Sequence, residues 1–106
     1  MDVFALHQMT GGWIAGDFDP CVLKTQDFEV AVKHYEAGAK ESSHHHKIAE
    51  EITVIASGRV RMFDRVFASG SIVRIEPGES TSFEALEPTI TVVLKRPSVR
   101  NDKYID

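Results

Sequence analysis

The residues best able to do chemistry are two histidines one residue apart and a glutamate just beyond them: His44, His46 and Glu51. On an extended chain alternate side chains share a face, so the imidazoles of His44 and His46 point the same way. Glu51 opens the next apolar run, where its carboxylate can return toward the same place. Two imidazoles and a carboxylate suit a divalent metal ion, Fe(II) with open positions, or Mn, Ni, Co or Zn. The same imidazoles titrate near neutrality and can serve as acid and base without a metal. His45 faces away from its neighbours and reads as a solvent or supporting group.

The elements around these residues are short. Runs rich in Val, Ile, Phe and Thr recur, broken by Gly, Pro and Ser at a spacing of roughly 8 to 12 residues, the pattern of an all-β sandwich or barrel. Strands are expected over residues 28–35, 50–56, 59–63, 65–68, 72–75, 82–85 and 89–95, with a hairpin turn around Phe63-Asp64-Arg65. Phe28, Val30, Val32 and His34 share one face of the first clear strand. Phe28, Val32, Val54, Ile75, Phe83 and Val92 are the expected core. Residues 1–20 read as an irregular arm and 97–106 as a polar tail. No segment keeps helical periodicity over three turns.

Composition narrows the function classes. The 106 residues fit one domain, 42% hydrophobic and 26% charged, as in a soluble globular protein. The formal charge of -4 argues against a general nucleic-acid binder. No apolar run approaches the ~20 residues that span a membrane. No basic segment precedes an apolar stretch at the N-terminus, so a cytoplasmic location is the expectation. The single cysteine, Cys21, excludes an intrachain disulfide and has no catalytic surroundings.

Written as spacing, residues 38–58 read G-x5-H-x-H-x4-E-x6-G. This resembles the first signature motif of the cupin superfamily at every position. Gly70, Pro77 and Gly78 resemble part of the second motif, and Phe83 its usual aromatic residue. The resemblance covers about residues 28–95. It implies an antiparallel double-stranded β-helix, a jelly-roll barrel of six to eight strands with a metal inside one end. It also selects Glu51 over Glu50, because only Glu51 leaves six residues before Gly58. A β-bulge would swap the two.

The sequence departs from the family where a third histidine usually stands, which here is Thr81. The asparagine that often follows is Ala85. A neutral threonine is a poor ligand, so a three-histidine, one-glutamate sphere does not carry over. His34 and Glu79 are conceivable substitutes; the plainer reading leaves His34 at a strand end and Glu79 exposed in a turn. Trp13 either lines a pocket or, as is commoner, covers a barrel edge. Arg59 and Arg61 read first as a solvated strand face, although they could hold an anion. Residues 12–18, 47–49, 95–99 and 102–104 together resemble one small cupin subfamily without a settled function.

Three functions follow. One is a metal-dependent enzyme acting on a small polar molecule by oxygenase, lyase or isomerase chemistry. Another is a metal-free sugar isomerase or epimerase using the H-x-H pair. The third is a module that binds a small ligand without turnover. A homodimer is expected from the small size and from Trp13, Ile14 and Phe18, which need cover.

Overall fold

Runs of β-branched and aromatic residues become eleven strands, described over residues 1–106 by a computed structural model. They are β1 (Trp13–Gly16), β2 (Leu23–Lys24), β3 (Glu29–Tyr35), β4 (Lys40–His45), β5 (Glu50–Ser57), β6 (Arg59–Met62), β7 (Arg65–Ala68), β8 (Ile72–Ile75), β9 (Thr81–Ala85), β10 (Thr89–Arg96) and β11 (Tyr104–Ile105). One sheet has the order β2-β1-β3-β10-β5-β8, the other β11-β4-β9-β6-β7. All pairings are antiparallel except β1 with β2. The only helical pieces are single 3-10 turns at Leu6–Gln8 and Thr10–Gly12. No helix is long and apolar enough to cross a membrane.

The two sheets share one core. Ile55 and Ile75 from the first meet Val60, Met62, Phe83 and Ala85 from the second. Tight turns hold them in register. Phe63 and Asp64 both adopt positive φ (51° and 56°), the two-residue geometry whose twist matches an antiparallel hairpin. Gly58 has φ of 92°, and a Cβ there would lie 2.4 Å from Thr89 Oγ1 and 2.5 Å from the Pro88 carbonyl. Only glycine fits that corner.

The structure corrects which face of the first sheet is the inside. Ala31, Thr53, Ile55, Thr89, Thr91 and Val93 are buried on the inner face. Val32, Val54 and Val92, expected in the core, are half-buried and lie side by side on the outer face, as does Ile72 beside them. Phe28 is also only half-buried. Ile75 and Phe83 are in the core as expected. The physical reason is that the inner face lines a polar cavity, so Val32, Val54 and Val92 fall on the outside although Val93 faces in.

Both chain ends join the sheets. β1 and β2, from the region read as an irregular arm and its sequel, extend the first sheet beyond β3. The tail adds β11 to the second, with Tyr104 opposite His45 and Ile105 opposite His44.

Candidate functional site

A cavity of about 180 Å³ opens between the sheets, and His44, His46, Glu51 and Thr81 all line it. Strand alternation places them. His44 is the penultimate residue of β4 and His46 follows the strand end, so both reach inward while His45 turns out. His45 Nδ1 lies 2.8 Å from Asp106 Oδ1, and its ring stacks on Tyr104. Glu51 pairs regularly with Lys95 of β10 and Ile75 of β8, so no bulge swaps it with Glu50. Glu50 faces out and pairs with Arg74 and Arg96, which hold its carboxyl below the usual range.

The imidazoles are set by their partners. His44 Nδ1 donates to the Ser42 carbonyl at 3.0 Å, so in the neutral ring Nε2 keeps its lone pair. The His44 and His46 ring centroids are 5.4 Å apart and nearly perpendicular. His46 is buried, and Lys95 Nζ stands 3.4 Å from its Nε2. An ammonium group only donates, so that nitrogen accepts. Burial first, then the Lys95 charge and His44, push the His46 pKa down to about 4. His46 is therefore a neutral imidazole at physiological pH.

A buried carboxylate holds the turn that carries His46. Asp102 accepts hydrogen bonds from the backbone N–H groups of Lys47 (3.1 Å), Ile48 (3.2 Å) and Ala49 (2.9 Å). Burial alone would raise its pKa, but these three donors outweigh that and hold it below the ordinary value.

The remaining wall is more cationic than the sequence reading suggested. Lys33, Lys95 and Lys103 line the cavity, with Trp13, Tyr35 and Glu41. Lys33 Nζ is 5.3 Å and Lys95 Nζ 5.0 Å from the Trp13 ring centroid. Burial lowers the Lys33 pKa. Tyr35 donates to Glu41 Oε1 at 2.7 Å, and burial raises its pKa. Trp13 thus lines the pocket rather than only covering an edge. A signal for these residues existed in alternation: Lys33-x-Tyr35, Glu51-x-Thr53 and Thr89-x-Thr91 each put polar groups on one face of an otherwise apolar strand.

Other candidates fall elsewhere. His34 is exposed and does not line the cavity, which corrects its place as a possible pocket residue. Its neighbours Lys33 and Tyr35 face in, so alternation turns it out. Glu79 does line the cavity, with Oε1 accepting from the Glu76 N–H at 2.8 Å. Arg59 and Arg61 are exposed beside Glu87 and Glu84, as a solvated face would be.

The donor set does not close on a metal as it stands. No three His, Cys, Asp or Glu side chains come close enough together to hold one ion. The Lys95 ammonium faces the His46 nitrogen that a metal would need. Thr81, directly opposite His44 across the strands, is also committed: its hydroxyl accepts from the Phe63 N–H at 2.9 Å and donates to the Ser82 carbonyl at 2.7 Å. Glu51 Oε2 accepts from Thr53 Oγ1 at 2.8 Å.

Two facing sheets around a polar cavity define the class: this is a double-stranded β-helix, the cupin fold. The solved structures it resembles bear that out. An uncharacterised conserved protein with a double-stranded β-helix domain from Klebsiella pneumoniae matches with a TM-score of 0.70 and 23% identity, over 76% of this chain and 71% of that one. KdgF from Halomonas sp. matches at 0.64 and 23%, over 74% and 76%. An RmlC-like cupin from Shewanella frigidimarina matches at 0.65 and 15%, over 73% and 71%. Matches of this kind also include a DMSP lyase, a sugar phosphate isomerase and an oxalate decarboxylase, of which the chain spans 44%, 50% and 24%. No family model and no curated protein matches the sequence. The likeness therefore concerns the fold, which hosts several chemistries.

Proposed function

We propose that this protein is a small cupin-fold enzyme that moves protons on a small polar molecule held in the cavity. The observation that carries this is the contact between Lys95 and the neutral, buried His46. It favours metal-free acid–base chemistry of the isomerase or epimerase kind. His44, with its Nε2 lone pair free, is the base that takes a proton from the substrate. Lys95 is the cation that steadies negative charge developing there. The mixed activities of similarly folded proteins support enzymatic use of such a cavity without selecting a reaction.

The test is a binding screen of small neutral and acidic polar molecules by thermal shift, with hits followed for turnover by NMR. Turnover lost in His44→Gln with binding kept supports the reading. Binding without turnover across all hits makes the protein a ligand-binding module instead.

A second reading keeps His44, His46 and Glu51 as ligands of a divalent ion. It is supported by the three lining one cavity and by the backbone bond that orients His44. It requires Lys95 to withdraw from His46. Calorimetric titration with Zn, Mn, Ni, Co and Fe(II), on protein purified without a histidine-affinity step, decides it. Uptake abolished by His46→Ala and untouched by His45→Ala is the expected pattern.

We further propose a homodimer in the cytoplasm. Its support is the outer row Val32, Val92, Val54 and Ile72, in direct register across four strands, with Ile72 69% exposed. Contiguous apolar surface of this kind marks an interface.

A further inference from the structure

One buried side-chain polar atom makes no hydrogen bond of good geometry within the protein: the hydroxyl oxygen of Thr91, which the Tyr35 hydroxyl, itself donating to Glu41, approaches. Thr91 is 1% exposed and lines the cavity wall. Leaving a hydroxyl unpaired costs about 1–3 kcal/mol, a cost relieved when a water or a ligand group in the cavity meets it. Its cross-strand partner in register is Lys33. Side chains so paired stand about 5 Å apart at Cβ. Lys33 enters no ion pair, and its ammonium rests by the Trp13 ring with that of Lys95. Lys95 shares its charge with Glu29 at 3.5 Å.

The cavity's carboxylates are already engaged. Glu41 accepts from Tyr35, Glu51 from Thr53 and Glu79 from a backbone N–H. The corner formed by Lys33, Lys95 and Thr91 thus holds donors in excess of acceptors.

We infer that this corner binds the carboxylate of a small hydroxy acid, with Lys33 and Lys95 supplying the charge and Thr91 donating a hydrogen bond from its hydroxyl. The assignment rests on reading the cavity as a small-molecule site, and it names the ligand's chemical class. Size sets the scale, because 180 Å³ is room for about six waters, and so for an acid of about three to six carbons. Charge favours a single carboxylate over a phosphate. Three lysines face three glutamates across the wall, so a monoanion leaves an excess of one negative charge and a dianion a larger one. Glu41 and Glu51 can accept from the ligand's hydroxyl groups.

Trp13 is the only tryptophan, so its fluorescence reports the corner directly. The full chain is titrated with matched acids and alcohols, lactate against propane-1,2-diol and gluconate against glucitol, and with inorganic phosphate. The acids are expected to give a saturable change at least about tenfold tighter than the alcohols. Lys33→Met is expected to weaken the acids about tenfold. Thr91→Val is expected to weaken them about fivefold while leaving the urea midpoint unchanged or higher, since it deletes a hydroxyl that makes no hydrogen bond of good geometry within the protein. A purely structural threonine would instead lose stability and keep affinity, and that result overturns the assignment. Alcohols binding as tightly as acids would overturn it while leaving the small-molecule reading intact. So would phosphate binding more tightly than either acid. Silence from all of these probes rejects the carboxylate corner, and the wider thermal-shift screen then decides separately whether the cavity binds small molecules.

Discussion

Lys95 Nζ sits 3.4 Å from His46 Nε2, and both side chains come from positions that strand alternation turns into the cavity. That single contact shapes the chemistry. Burial first, and then the ammonium group beside it, keep the imidazole neutral, and that ammonium places positive charge where a metal-ligating histidine would have its ion.

Acid should act through His46. Its pKa in the fold is about 4 against 6.5 unperturbed, so between these values the unfolded chain binds a proton that the folded chain refuses. Stability is thus present above pH 6.5 and drains as pH falls toward 4, by up to about 3 kcal/mol. Urea melts at pH 7, 5.5 and 4.5 should show the decline, and His46→Gln should flatten that part of it. An unchanged slope in the variant would assign the decline to other groups.

The Asp102 carboxylate should be worth more than a surface acid. Asp102→Ala leaves three backbone N–H groups of residues 47–49 without their acceptor and should cost about 3 kcal/mol in chemical denaturation. Because the same turn carries His46, the variant's His46 NMR resonances should also shift. A stability within about 0.5 kcal/mol of wild type would show that water replaces the carboxylate.

Gly58 should resist even the smallest side chain. A Cβ at φ 92°, 2.4 Å from Thr89 Oγ1, forces the β5–β6 corner apart. Gly58→Ala is expected to destabilise by about 2 kcal/mol or more. Gly70 has a similar φ of 93° but nothing within 4 Å, so Gly70→Ala should be milder. Equal losses at the two sites would mean that strain alone, without the clash, sets the cost.

The outer valine row should control association. Val92 lies between Val32 and Val54 in register, so Val92→Lys puts a charge at the centre of the row without disturbing the inner face. Sedimentation should show a dimer for wild type at micromolar concentration and a monomer for the variant. A monomeric wild type rejects the interface.

Much of the architecture was legible in the sequence. The spacing of Gly, Pro and β-branched residues marks β5 through β10 because a strand's needs are local: alternation, propensity and a turn residue at each end. The H-x-H pair and Glu51 were legible for the same reason, since period two fixes which side chains share a face. Which face is inside was not. In β3 the sequence offers Val30, Val32 and His34 against Ala31, Lys33 and Tyr35, and hydrophobicity alone chooses the first set. Only the closing of two sheets around a polar cavity turns Lys33 and Tyr35 inward and sends His34 to the surface. Asp102 reaches residues 47–49 across more than fifty positions, and Lys95 reaches His46 across nearly as many. Local patterning determined the strands and the motif; contacts between residues distant in sequence, set by how the barrel closes, decided what surrounds the histidines.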